Sequence, residues 1–479
     1  MKKTYYMNRL FGLKLIFILL TMYFPGSVLL QAQSGILDDY VKEGLKQNLA
    51  VNRQHNQLLV SQLELDQARG NYFPDISLQA RYTVAEGGRT IDFPLGDLLH
   101  PVYNTLNMLT SSHQFNPLIN NTENQQFNFY RPTEQETKVE LVQPIFNPGI
   151  HYNYKIRKEM TGMNRAQLET AKRKLVAEIK ESYFNYLQAL EIVRLLDQTE
   201  KLLQENLRVA NSLLENDKVT IDNVYRARAE LSKLKQQQSQ ALKAKKSGRA
   251  YFNFLLNRDL DAEIDEDTLL TLPEKPAGIT EITGQAVSGR SELNVLKSAE
   301  KIADYKISNY NSNKLPTISA IVDYGFQGSD YSFTAQDDFV LASVVLKWPL
   351  FNGLQNQSLI KQSFIEKQMA SDQLEETRKK IQLEVINGFY TLQAAEQSIA
   401  AARDEAQAAE QAYHVVAKKY RQGQANQLEL TDARTAMTNA QQKVIIKKYE
   451  YQHAWAELER IAGWYPLQEV YQSSAESNK

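Results

Sequence analysis

Six histidines, no cysteine and no glycine-rich phosphate loop are the first facts that chemistry can use in this 479-residue chain. His55, His100, His113, His151, His414 and His453 never fall at H-x-x-x-H or H-E-x-x-H spacing, so no helix would offer two imidazoles to one metal ion. The lack of Cys removes a thiolate site, a Cys nucleophile, a disulfide framework and the lipidated Cys of a bacterial lipoprotein. The Met residues form no cluster after the N-terminal segment, and no acid, base and nucleophile assemble into a set. The chain therefore reads as a non-enzyme with no catalytic residues, no metal and no cofactor. What remains is a pair of carboxylates, Glu429 and Asp432, three residues apart and so on one face of a helix. Taken alone they are ordinary solvated side chains.

The elements that would carry them are long. Gly and Pro number 20 and 13, well under the usual combined share of about 12%, so turns are scarce. A hydrophobic content of 43% with 23% charge excludes a disordered chain. A mean hydropathy of -0.47 excludes a bundle of membrane helices. Lys2, Lys3, Arg9 and Lys14, the apolar run from Leu15 to Leu30 and the small Ala32 read as a secretory signal peptide over residues 1–32. Removing four cations and no acid takes the formal charge from -1 to -5, which gives no electrostatic reason to bind nucleic acid.

Self-comparison shows two copies of one plan. Phe73-Pro74 and Leu315-Pro316 each open a strand, and Ile76, Leu78, Ala80, Tyr82 and Val84 map at a shift of 242 onto Ile318, Ala320, Val322, Tyr324 and Phe326. Gln143-Pro144-Ile145-Phe146-Asn147 maps at a shift of 205 onto Trp348-Pro349-Leu350-Phe351-Asn352, leaving 37 extra residues between the strands of the first copy. At a shift of 206, Ala227 and Arg228 meet Ala433 and Arg434. Strands of roughly 10 to 12 residues with period-two alternation have the length and pattern of tilted strands in an outer membrane. Lipid would take the apolar side, and Ser77, Gln79, Arg81, Lys138 and Glu140 would point into a wet lumen. Four strands cannot close a barrel, for which about eight is the usual minimum, and open edges are not tolerated in lipid. Membrane-spanning strands here demand more than one chain.

No proline occurs between Pro148 and Pro273 or between Pro349 and Pro466. In the first interval Leu168, Leu175, Ile179, Tyr183, Tyr186 and Leu190 belong to a seam with a mean step near 3.5, and Val176, Phe184, Leu187 and Leu195 run beside it. Two stripes let a helix pack against a neighbour on each side while a third face stays wet. A continuous helix from Ile150 to Leu214 would be roughly 98 Å long. The expected organisation is a signal peptide (1–32) and a first repeat (33–256) with strands about 75–85 and 136–146 and helices about 150–214 and 222–256. A connecting segment (257–284) leads to a second repeat (285–462) with strands about 317–327 and 339–349 and helices about 354–421 and 427–461. A loose tail (463–479) ends the chain, and residues 85–134, rich in Gly, Pro and Asn, are expected as a long surface loop.

In this order the chain resembles the TolC-type outer membrane efflux proteins, or outer membrane factors. The resemblance rests on Ala68-Arg69-Gly70-Asn71-Tyr72-Phe73-Pro74, the two strand-to-helix corners quoted above, Arg290-Ser291-Glu292-Leu293, and Tyr420-Arg421-Gln422-Gly423. It implies a mainly α fold with a β-barrel portion: an internally duplicated helix-strand-strand-long helix-helix unit, three copies of which close a 12-stranded outer-membrane barrel continuous with a long periplasmic α-helical barrel. It further implies a passive channel of a tripartite efflux or type I secretion system. Its partners would be a homotrimer, a periplasmic adaptor (membrane fusion) protein, an inner membrane pump of RND or ABC type, and outer membrane lipid. Where the family lines a periplasmic gate with acids, this chain has Glu429 and Asp432, with Tyr420 and Arg421 placed to latch neighbouring helices. Asn223 stands where an acid is expected, and Asp217 where a turn Gly is usual. Asp217, Lys218, Val219, Gln422, Gly423 and Gln424 would form the tips that dock the adaptor. From the residues alone, an exported coiled-coil scaffold or the periplasmic adaptor itself, without a channel, stays open as the alternative.

Overall fold

The computed structural model describes residues 35–110, 122–267, 272–276 and 278–467. The expected signal peptide lies outside them. The chain is mainly helical. In order its elements are α1 (Gly35–Gln47), α2 (Leu49–Gly70), β1 (Asp75–Val84), β2 (Thr90–Phe93), α3 (Leu95–Thr110), β3 (Gln125–Asn128), β4 (Thr133–Phe146) and α4 (Pro148–Glu215). Then come α5 (Ile221–Leu256), α6 (Ile279–Gly289), α7 (Ser291–Ser312), β5 (Thr317–Gly328), β6 (Asp338–Lys347), α8 (Gln355–Arg421) and α9 (Gln427–Ala462). They fall into two compact units, one of residues 61–161 and 300–368, the other of residues 1–60, 162–299 and 369–479.

The first unit holds a four-stranded antiparallel sheet in the order β1-β4-β5-β6. The sheet is open, so β1 and β6 each leave a row of backbone groups without a strand partner. Alternation sorts the side chains cleanly. One face carries Ser77, Gln79 and Arg81 beside Glu140, Lys138 and Glu136. There Gln79 donates to Glu140 at 2.8 Å, Arg81 to Glu136 at 2.8 Å, and the Lys138 ammonium to Asp323 at 2.6 Å. Gly325 lies opposite Lys138, and a Cβ there would stand 2.6 Å from the Lys138 Cβ and 2.4 Å from the Thr137 carbonyl oxygen. The other face carries Ile76, Leu78, Tyr82, Val139, Tyr324, Val340 and Val344, all exposed, Leu78 by 73% and Val344 by 72%. The described residues of 85–134 are more ordered than the expected loop. They contain the ribbon β2-β3 and the helix α3, tied together by Asn124, which accepts from the Asp97 N–H at 3.1 Å and donates to the Asp97 carboxylate at 3.0 Å.

The second unit is built on the predicted helical seam. Leu168, Leu175, Ile179, Tyr183, Leu190 and Leu203 are buried, along with Val176, Phe184 and Leu187 of the flanking stripe. A buried ion pair crosses from α4 to α9: Lys180 meets Glu459 at 2.6 Å, with its ammonium 4.9 Å from the Tyr465 ring centre. Tyr465 and Leu467, expected in the loose tail, are buried, and the Tyr465 hydroxyl donates to Asp38 at 3.1 Å. The helical stretch before each strand pair is broken once. Asn48 separates α1 from α2, accepting from the Ala50 and Val51 N–H groups and donating to the Leu255 carbonyl at 2.8 Å. Arg290 separates α6 from α7, buried between Glu292 at 2.8 Å and Glu384 at 3.0 Å.

Candidate functional site

Both long hairpins reverse by one device. At the end of α4, Asp217 takes φ +55°, its N–H donates to the Leu214 carbonyl at 3.0 Å, and the Lys218 N–H donates to the Leu213 carbonyl at 2.8 Å. At the end of α8, Gly423 takes φ +72°, its N–H donates to the Tyr420 carbonyl at 2.9 Å, and the Gln424 N–H to the Lys419 carbonyl at 2.9 Å. Paired bonds of this span around one left-handed residue satisfy the last carbonyls of a helix. The 206 shift carries Asp217 onto Gly423, so Asp performs in the first tip the turn that Gly performs in the second. Its short polar side chain tolerates the left-handed region better than most. Asp217, Lys218, Gln422, Gly423 and Gln424 are exposed, and Val219 is half-buried.

The returning helices start differently. Asn426 accepts from the Glu429 N–H at 2.9 Å, an N-cap that fixes the first turn of α9. Thr220, its counterpart, makes no such cap; its hydroxyl turns to Asp222. The Asn223 amide donates to the Thr220 carbonyl at 3.2 Å and its hydroxyl oxygen at 3.1 Å, so Asn223 closes its own turn. Glu429 and Asp432 are both exposed on α9. Glu429 lies in the first turn, where it adds negative charge to the positive start of that helix.

Tyr420 and Arg421 part company. Tyr420 is buried among Tyr413, Leu430 and Met437, its hydroxyl has no hydrogen-bond partner among the described residues, and burial pushes its pKa up. Arg421 is exposed, with its Nε donating to the Ala417 carbonyl of its own helix at 3.3 Å. Within one chain the hairpins are tied elsewhere, by Arg434 of α9 paired with Glu230 of α5. Farther along, Lys448 and the Tyr449 hydroxyl both reach Glu191 of α4, at 2.8 and 2.7 Å. The duplication places Arg434 opposite Arg228 but offers no sign of Glu230 as its partner. Extending the same shift by one residue sets Arg226, which pairs with Asp222 at 3.6 Å, opposite Asp432. At this position the two hairpins therefore carry opposite charges, Arg226 being paired with Asp222 of its own helix.

Among the described residues no group of three His, Asp or Glu side chains is placed to hold a metal, and no helix is long and apolar enough to cross a membrane. The model of the family described as outer membrane efflux protein matches residues 283–464, the span from α6 through α9. Over that span the chain is similar to the outer membrane efflux protein family. The family's place is the cell outer membrane. Outer membrane protein TolC of Escherichia coli is 22% identical to this chain over 340 residues, covering 65% of this chain and 66% of that one. The probable efflux pump outer membrane protein TtgC of Pseudomonas putida is 24% identical over 316 residues, covering 64% of each. Each match spans about two thirds of the relative's length. The structure of the Campylobacter jejuni CmeC outer membrane channel superposes with a TM-score of 0.76 at 15% identity, covering 93% of this chain and 89% of that one, which establishes a shared fold.

Proposed function

We propose that the protein is a passive efflux channel in which three copies pair the β6 edge of one chain with the β1 edge of the next. The resulting 12-stranded barrel would span the outer membrane and continue as a periplasmic helical tunnel. The observation that carries this is the open sheet: its edges are bare, and one face exposes a band of aliphatic and aromatic side chains that water would not tolerate on a finished surface. Lipid satisfies that face and two further copies satisfy the edges. The opposite, ion-paired face then lines the bore. An exported scaffold or adaptor has no use for such a band.

At the far end the same symmetry brings three copies each of Glu429 and Asp432 toward one axis. This raises the negative potential of the entrance and favours cations. Asp217, Lys218, Val219, Gln422, Gly423 and Gln424, as the outermost residues of the hairpins, are the surface for a periplasmic adaptor, behind which an inner membrane pump of RND or ABC type would supply cargo.

The test is reconstitution of the mature protein in planar bilayers, with gel migration before and after boiling. Ion-conducting trimers that fall to monomers on heating support the reading. A water-soluble, non-conducting monomer that needs no detergent refutes it. Single-cysteine probes at the six tip positions, introduced into a chain with no native Cys, would report the adaptor by crosslinking.

A further inference from the structure

A second feature lies beside the sheet, where α2, α4 and α7 meet within a few residues of the strand ends. A pocket of about 360 Å³ is lined there by Arg69, Lys155 and Lys158. None of these three cations has a carboxylate within ion-pair distance among the described residues. Lys155 instead sits 5.4 Å from the Tyr305 ring centre and 5.8 Å from that of Tyr152. The carboxylate in the lining, Glu159, is engaged by Lys301 at 3.8 Å. Three tyrosines, Tyr72, Tyr154 and Tyr305, complete the wall, and the Tyr72 hydroxyl lies 3.5 Å from His151 Nδ1. His151 is in the first turn of the 68-residue helix α4, which lends the near end of the pocket some of that turn's positive character.

Three cations gathered beside a single carboxylate that Lys301 already engages leave the pocket with an excess of positive charge, a cost that folding alone does not require. A bound anion removes it. The pocket's aromatic walls suit a ligand with an apolar part, and its donors suit an oxyanion with several acceptor oxygens. The duplication sharpens the point, because the 205 shift puts Leu359, Ile360 and Ser363 where the first copy has Tyr154, Lys155 and Lys158. The cluster is thus particular to the first copy and no part of the shared scaffold.

We propose that this pocket binds a phosphate group, one per chain, presented by the headgroup of an anionic phospholipid or by free phosphate. The lipid source rests on the membrane reading of the sheet, since it requires the strand ends to lie at headgroup level. The phosphate chemistry stands without it.

Two arms separate the sources. The purified full chain and the Arg69→Gln/Lys155→Gln/Lys158→Gln variant are placed in phosphatidylethanolamine nanodiscs containing a minority of phosphatidylglycerol, and lipid retained on release is counted by native mass spectrometry. In parallel, both are titrated in detergent with inorganic phosphate and followed by phosphorus NMR line broadening. Retention of one phosphatidylglycerol per chain, weakened at least about tenfold in the triple variant and kept in Arg69→Lys/Lys155→Arg/Lys158→Arg, supports the lipid source. Inorganic phosphate binding that the triple variant loses, without lipid retention, supports the pocket with a soluble source. Neither ligand bound by the natural sequence, or equal binding by the triple variant, overturns the proposal. Phosphate binding in detergent by a protein that fails to conduct would refute the channel and leave the pocket standing.

Discussion

Glu230→Ala should loosen the second hairpin from the first by more than its surface position suggests. Arg434 is buried, with 6% of its side chain exposed, and its Nε has no partner among the described residues. Removing the Glu230 carboxylate leaves that guanidinium without a counter-charge. Stranding one member of a buried pair costs about 3–5 kcal/mol. Glu230 keeps 21% of its side-chain surface, so water can reach part of the gap, and about 2–3 kcal/mol is the working figure. Glu230→Ala with Arg434→Met removes both charges and offers an apolar side chain close to the cluster of Leu430 and Met437, so the double variant should lie within about 1 kcal/mol of the natural sequence. The coupling is then about 2 kcal/mol, roughly thirtyfold in the equilibrium for local separation. Amide hydrogen exchange over Gln427–Met437, measured in the full chain, the two single variants and the double, closes the cycle. The reasoning fails if the double variant exchanges as fast as Glu230→Ala, or if the single effects add to within about 0.5 kcal/mol.

Gly325→Val would drive a Cβ into the Thr137 carbonyl and the Lys138 side chain across the β4–β5 ladder, so properly inserted protein should fall to background in outer-membrane fractions while the exported chain is still made. Glu429→Ala with Asp432→Ala should lower cation-over-anion selectivity in bilayer recordings with little change in folding; unchanged selectivity would mean that these carboxylates face away from the pore. His453 packs edge-on to Phe184 at 5.8 Å, and burial holds its pKa below the ordinary 6.5. Below that value the unfolded chain takes up a proton that the folded chain resists, so stability falls as pH drops from about 6.5 toward the folded value. His453→Gln should flatten this slope in thermal melts at pH 7.5 and 5.5, and an equally steep slope would assign the acid sensitivity to other groups.

Helical character was legible because it has a local cause. Missing prolines and a step of 3.5 can be counted, and the residues they select, Leu168, Ile179, Tyr183 and Leu203, are the buried ones. The division of the sheet into a polar and an apolar face was legible for the same reason, since alternation is a property of neighbours in sequence. Long-range pairing was not. Lys180 lies in the middle of an apolar seam, and nothing nearby announces that a carboxylate 279 positions away will meet it. The breaks at Asn48 and Arg290 have no local signature, because in each a side chain bonding to a neighbouring element interrupts the helix. The ribbon and helix inside 85–134 were hidden by Gly and Pro, which mark turns without saying how many elements lie between them. At the tips the residue positions were readable, but the exchange of Gly for Asp showed its meaning only once both turns displayed the same hydrogen bonds.

The unpaired margins of the sheet bear on biogenesis as well as on the finished pore. A newly exported chain arrives with two adhesive borders and an oily flank, and it has no way to hide either by itself. If the proposed trimer is right, any delay before such a chain meets its siblings would invite fibrous or amorphous aggregates, so insertion and association would have to proceed as one event. Variants that slow this meeting should surface first as proteolysis and envelope stress, well before any loss of throughput in the molecules that succeed.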